Sequence, residues 1–223
     1  LRVKVVHLSN LFAYIASQRI GGQNSDRGSS MTSGAQLAKT IGICPEKDMP
    51  YPDPVRYPRW ARSRQERARR LNAVKHESAP YQIRMCSRIR SYDEWLTYLG
   101  SGQGAVDVGI KWGVTVRNGE ITRWRPGGGG HAVVVSEYSR RRTNGRPWPK
   151  MRNSHGRSWG NNGVAEMPPS MWDDMLAHPY TVCLGMSEMP AIRPRDLSWL
   201  EANPFVPNNP KGARCWVPGG GGR

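Results

Sequence analysis

An α+β fold of two lobes is predicted from three observations. The first 78 residues are patterned as helices and turns, and the chain becomes strand-rich from about residue 79. A chain of 223 residues can also bury a substantial core in two parts. From Met189 onward the composition changes again: prolines at 190, 194, 204, 207, 210 and 218 and a terminal GGGGR describe an extended arm. The expected divisions are therefore a helical lobe at 1–78, a β-rich lobe at 79–189 and the arm at 190–223.

LSNLFAYIASQRI (8–20) repeats apolar residues at helical spacing through Leu8, Leu11, Phe12, Ile15 and Ala16, with Ser9 or His7 as the cap. GGQNSDRGSS (21–30) is a loop, and SGAQLAKTIGI (33–43) a second helix stopped by Gly42 and Cys44-Pro45. Prolines at 45, 50, 52, 54 and 58 make the next stretch turn-rich. ARSRQERARRLNAVK (61–75) is helical with little apolar face, so it is expected on the surface. APYQIRMCSRI (79–89) is expected to be a strand, and SYDEWLTYLGSG (91–102) a short helix ended by glycine. GAVDVGIKWGVTV (104–116) alternates as one strand. HAVVVSEY (131–138) is almost continuously apolar, as in a strand buried on both faces. PKMRNS (149–154) and TVCLGM (181–186) complete the strands, and no internal repeat is present.

Charge is lopsided. Lys and Arg number 33 against 17 Asp and Glu, a net +16, with a pI near 10.4. RYPRWARSRQERARR (56–70) holds seven arginines and SRRR (139–142) three more. Such a surface predicts nonspecific contact with polyanions such as nucleic acid. No helix-turn-helix, zinc-finger, RRM or KH pattern points to sequence-specific readout. Mean hydropathy is -0.66, and no apolar run approaches the roughly 20 residues that span a bilayer, so no membrane contact is expected. Cys44, Cys86, Cys183 and Cys215 are far apart and form no CxxC pair. No metal or other cofactor is expected, and the cysteines are read as mostly buried thiols with room for one bridge.

PGGGGHAVVVSEY (126–138) sets His131 between a glycine run and an apolar strand, and MRNSHGRSWGNNGVAEMP (151–168) follows. Together they resemble the papain-like cysteine peptidases, in which a G-H-A-[VI] strand carries a histidine and an N-S-W-G-x-x-W-G-x-x-G segment an asparagine. His131 and Asn153 match those two positions, with Ser154, Gly156, Trp159, Gly160 and Gly163 in register. LSNLFAYIASQ, DRGSS, SGAQLAKTIGICPE, MPYP and SYDEWLTYLGSGQGAVDVGI fall in the order of compact bacterial and phage members. The likeness covers about residues 8–187. It implies a papain-like two-lobe fold, His131 and Asn153 as catalytic residues, and Gly28, His155 and Trp159 at the substrate cleft. A peptide or protein is the implied substrate.

The residue types suit the chemistry. A thiolate attacks a carbonyl carbon far better than a thiol, and a neighbouring imidazolium stabilises it. The histidine then protonates the leaving amine, and an asparagine oxygen holds its ring.

Two departures qualify the resemblance. The family's nucleophile lies about 130–150 residues before these positions, which places it at or before Leu1, together with the glutamine of the oxyanion hole. Residues 1–7 are expected to be the tail of that helix. Cys44, in GICPE, belongs to a structural turn, and Cys86, Cys183 and Cys215 have no nucleophile context. His155 also replaces the tryptophan that shields the histidine–asparagine hydrogen bond. The first expectation is thus a peptidase acting by thioester acyl transfer through an upstream cysteine, the chain as given being inactive. The alternative is a catalytically dead papain-like module, a phage virion or tail component whose 190–223 arm lies on neighbouring subunits. Its location would then be the virion or the host cytoplasm.

Overall fold

A computed structural model describes residues 6–23, 25–52 and 56–187. The expected 190–223 arm lies outside the described residues. Contacts divide the chain between Arg84 and Met85. Residues 79–84, expected with the strands, belong to the first unit, because the Ile83 N–H donates to Ala38 O and Gln82 Nε2 to Thr40 O.

In the first unit, α1 spans Asn10–Ile20 and is capped by Ser9, whose hydroxyl accepts from the Phe12 N–H. Helix α2 (Met31–Thr40) starts two residues earlier than expected because Ser30 caps it. Leu11, Phe12, Ile15, Leu37, Cys44, Met49, Ala61 and Leu71 form the core between these helices and the turns that follow. Helix α3 (Arg64–Ala73) is capped by Ser63, and the one-turn α4 covers Lys75–Ser78. The expectation of a surface helix at 61–75 needs one correction. Leu71 joins the core, and Arg67 is only 4% exposed.

Gly42 shows how tightly this unit is closed. It follows α2 at φ +86, and a Cβ there would lie 2.0 Å from Ser78 O. A left-handed conformation and a backbone clash then act together. Gly42→Ala is expected to cost at least about 2 kcal/mol, read as a lower urea midpoint; a midpoint unchanged from wild type would contradict this packing.

The second unit is one eight-stranded sheet in the order β1-β8-β2-β5-β6-β7-β4-β3. Its strands are β1 (Met85–Arg88), β2 (Val106–Lys111), β3 (Val114–Arg117), β4 (Glu120–Trp124), β5 (Gly130–Thr143), β6 (Arg146–Arg152), β7 (Val164–Glu166) and β8 (Val182–Ser187). Neighbours are antiparallel except β4 and β7. Helices α5 (Tyr92–Gly100) and α6 (Pro169–Ala177) bury Trp95 and Trp172 in the core against Val106, Val108, Val133, Val135 and Met151.

Several expectations change here. Residues 79–81 form a 3-10 turn opened by Pro80, so β1 is only four residues long. The stretch 104–116 is two strands broken at Trp112–Gly113, because Gly113 passes so close to Arg125 O that a Cβ would lie 1.7 Å from it. HAVVV is not buried on both faces: Val133 and Val135 are buried, Val134 is half-buried and Ala132 exposed. That alternation fits an antiparallel sheet with one core-facing side.

Strands β4 and β7 and helix α6 were not expected. The signal for β4 is Asn118-Gly119 in left-handed conformation at φ +50 and +76, a hairpin dipeptide between β3 and β4. Asn144-Gly145 does the same between β5 and β6. Helix α6 opens with Pro169, a residue favoured at a first helical turn, but the Pro-Pro pair reads locally as a loop.

Candidate functional site

His131 sits at the start of β5, opposite Ile110 of β2. Asn153 follows the last residue of β6, which pairs with β5. The antiparallel sheet therefore brings together side chains 22 residues apart, and His131 Nε2 lies 2.8 Å from Asn153 Oδ1. The Ser154 N–H also donates to Asn153 Oδ1 at 2.8 Å. A backbone N–H can only donate, so that atom is the amide oxygen and His131 Nε2 must carry the proton toward it. Nδ1 is then the nitrogen left to accept a proton when the ring is neutral.

Asn153 is itself held. It is buried, and its N–H donates to Gly163 O at 2.9 Å. The loop between them turns through Gly156, Gly160 and Gly163, all at positive φ. At Gly160, φ is +62 and a Cβ would lie 2.3 Å from Val164 O, which explains the glycine in W-G-x-x-G. The Asn153 Nδ2 group is buried and finds no protein acceptor.

Around the pair stand three more rings. His155 is exposed, with its ring centroid 4.9 Å from that of His131. Trp159 is half-buried against the core, 6.4 Å from Trp112. Trp112 was not expected. Its ring meets His131 edge-on at 4.5 Å and His155 at 5.3 Å. The glycine run explains its position: the Gly128 N–H donates to Trp112 O at 2.9 Å, and the Trp112 N–H to Gly129 O at 3.0 Å. A Cβ on Gly128 would come within 2.9 Å of Trp112 O. The run before His131 thus lets two backbone segments close together and sets an indole beside the imidazole. The K-W-G break after β2 is the sequence signal that could have found it.

Gly28 lies in the first unit at φ +92; its N–H donates to the Tyr14 hydroxyl and its oxygen accepts from Gln18 Nε2, each at 3.0 Å. His7 and His76 are exposed, and His178 meets Trp124 edge-on at 5.2 Å.

The cysteines have a different character. Cys44 and Cys183 are buried free thiols, and Cys86 is half-buried on β1. Burial, with Asp48 nearby, pushes the Cys44 thiol up to about 11, and burial raises that of Cys183 as well. A raised thiol pKa keeps the unreactive form at neutral pH. Cys215 lies outside the described residues. Among the described residues no group of three or more His, Cys, Asp or Glu side chains could hold a metal ion. No described helix is long and apolar enough to cross a membrane.

No protein-family model matches the chain, and no curated protein matches it. Solved structures do. Xylellain, a cysteine protease from Xylella fastidiosa, is 22% identical at a TM-score of 0.58, covering 82% of this chain and 70% of its own. Digestive procathepsin L 3 from the larval midgut of Tenebrio molitor is 18% identical at a TM-score of 0.52, covering 82% of this chain and 56% of its own. The proform of Amb a 11, a cysteine protease and major ragweed pollen allergen, is 16% identical at a TM-score of 0.53, covering 84% of this chain and 54% of its own. The α+β fold is that of the papain-like cysteine proteases. This chain spans little more than half the length of the latter two.

Proposed function

We propose that this chain carries the base and the orienting amide of a papain-like cysteine peptidase, with the nucleophile on a cysteine preceding residue 1 in the gene product. The observation that supports this reading most is the Nε2-to-Oδ1 contact of 2.8 Å, which leaves His131 Nδ1 to receive a proton. Nδ1 would take the thiol proton, and the thiolate sulfur would bond to the substrate carbonyl carbon. Nδ1 would then return that proton to the amine nitrogen as the C–N bond breaks, leaving a thioester. Water, losing its proton to the same nitrogen, would hydrolyse it. Asn153 keeps the ring in its tautomer throughout. His155 and Trp159 are proposed to border the part of the cleft beside His131 in which a peptide or protein substrate lies. The buried thiols of Cys44 and Cys183 suit packing and not attack.

The experiment is thiol alkylation of the full-length gene product by iodoacetamide, mapped by mass spectrometry. One cysteine upstream of residue 1 is expected to react rapidly at pH 6–7, in a His131-dependent way, because a paired thiolate persists well below the ordinary thiol pKa of about 8.5. Cys44 is expected to stay unmodified at those pH values and to react only as pH rises toward about 11. Its linkage has the same sign. The folded thiol holds its proton above the unfolded value, so stability falls as pH rises from about 9 to about 11. Rapid labelling of Cys44 in the native protein, or of no upstream cysteine, would overturn this assignment.

One observation favours a second reading, a papain-like module without turnover, as in a phage virion component. His155 is exposed where the resemblance calls for a shielding tryptophan, so the His131–Asn153 contact lacks that cover on this side. Absence of labelling in the full-length product would favour this reading.

A further inference from the structure

The most unusual charge in the first unit is Arg67. It is 4% exposed, yet among the described residues no carboxylate pairs with it. Its Nε donates to Ala61 O at 2.9 Å, Nη1 to Gln23 O at 2.6 Å, and Nη2 to Ala61 O and the Tyr57 hydroxyl. All of these acceptors are neutral. The nearest acid in sequence, Glu66, is committed elsewhere, to Arg69 and Arg70 at 2.7–2.9 Å, and those pairs hold its carboxyl down to about 2. A buried cation without a counter-charge is costly, and proteins ordinarily resolve it with a partner ion.

Beside Arg67 is a cavity of about 440 Å³, lined by Arg19, Gly22, Gln23, Arg64, Arg67 and Ala68. Three of its six lining residues are arginines, and none is acidic. Arg19 lies in the last turn of α1, while Arg64 and Arg67 lie in the first turn of α3. The partial positive charge of the α3 N-terminus adds to theirs. The volume falls in the ordinary range of small-molecule pockets, about 300–1,000 Å³.

We propose that this cavity is an anion-binding site for a small molecule bearing a terminal phosphate. A dianionic terminal phosphate suits the site better than a chain of phosphodiesters, because three arginines line one cavity instead of forming a stripe. The guanidinium groups of Arg19 and Arg64 bind such oxygens through paired N–H donors, whereas Arg67, with four of its five N–H groups held by Ala61, Gln23 and Tyr57, adds its charge and one remaining N–H. Arg67 is prepositioned by its four acceptor contacts, so little ordering is needed on binding. Arg19 and Arg64, both exposed, close on the ligand from the rim. The bound anion would tie the end of α1 to the start of α3 and stabilise this unit by mass action. The assignment does not depend on the peptidase reading.

The test is calorimetric titration with inorganic pyrophosphate at about 50 mM salt, where screening is modest. Wild type is expected to show one saturable site. The double variant Arg19→Gln/Arg64→Gln removes only exposed side chains and is expected to bind about 10-fold or more weakly. Arg117→Gln/Arg140→Gln, which loses the same charge at exposed positions outside the cavity, is expected to stay within about 2-fold. Equal losses in both variants would reduce the effect to general electrostatics and overturn the site. So would the absence of saturable binding in wild type. A second arm compares a 5′-phosphorylated tetranucleotide with its 5′-hydroxyl form. Preference for the phosphorylated end supports terminal-phosphate recognition, and equal binding of both would show backbone contact and overturn it.

Discussion

His131→Ala in the full-length gene product is expected to lower kcat/KM for a peptide substrate by about 1,000-fold or more. Two separate roles are lost with the imidazole. General acid–base transfer is worth about 100- to 10,000-fold, and the thiolate also loses its ion-pair partner. The change should leave the fold intact, since His131 is half-buried at the start of β5 and the core contacts of that strand come from Val133 and Val135. Far-UV circular dichroism and the urea midpoint of the variant serve as the control. Asn153→Ala is the companion measurement. Nothing in the proposed chemistry bonds Asn153 to substrate, so kcat should fall by about 100-fold, as for a mispositioned catalytic group, with KM little changed. A variant at His131 that retains full activity would show the histidine to be an ordinary strand residue.

Trp95→Ala is expected to be the most destabilising single substitution considered, at about 3–5 kcal/mol. Its ring is fully buried and lies 5.2 Å from that of Tyr92, 5.9 Å from Trp172 and 6.5 Å from Tyr138. Alanine would leave a cavity among three other aromatic side chains, which cannot collapse around it without losing their edge-to-face geometry. The indole Nε1 has no hydrogen-bond partner, so the loss would be one of packing and not of a polar contact. Against a total stability of about 5–15 kcal/mol for a typical domain, this is a large share. Urea unfolding followed by tryptophan fluorescence measures it, with Trp95→Phe expected to recover part of the loss. A cost below about 1 kcal/mol would mean that the site relaxes freely, contrary to the dense packing of a protein interior.

The residues themselves determined a good deal of this protein. Ser9 ahead of a period-3.6 apolar run specified α1 and its start, because capping and amphipathic spacing act over a few residues. The glycines of the 151–168 segment specified a tightly turned loop, since each stands where φ is positive. His131 and Asn153 were legible as a pair because their types and spacing resemble a known arrangement. Other features depended on what lies across the sheet or beneath a helix. The short β7 forms only because β6 and β4 flank it. Trp112 reaches His131 through the close approach of residues 128 and 129. Arg67, polar by type and set in an arginine-rich run, is buried because Gln23, Tyr57 and Ala61 supply acceptors from other segments. The physical division is one of range: dihedral preference, capping and turn chemistry belong to neighbouring residues, while register, burial and charge compensation arise only when distant segments meet.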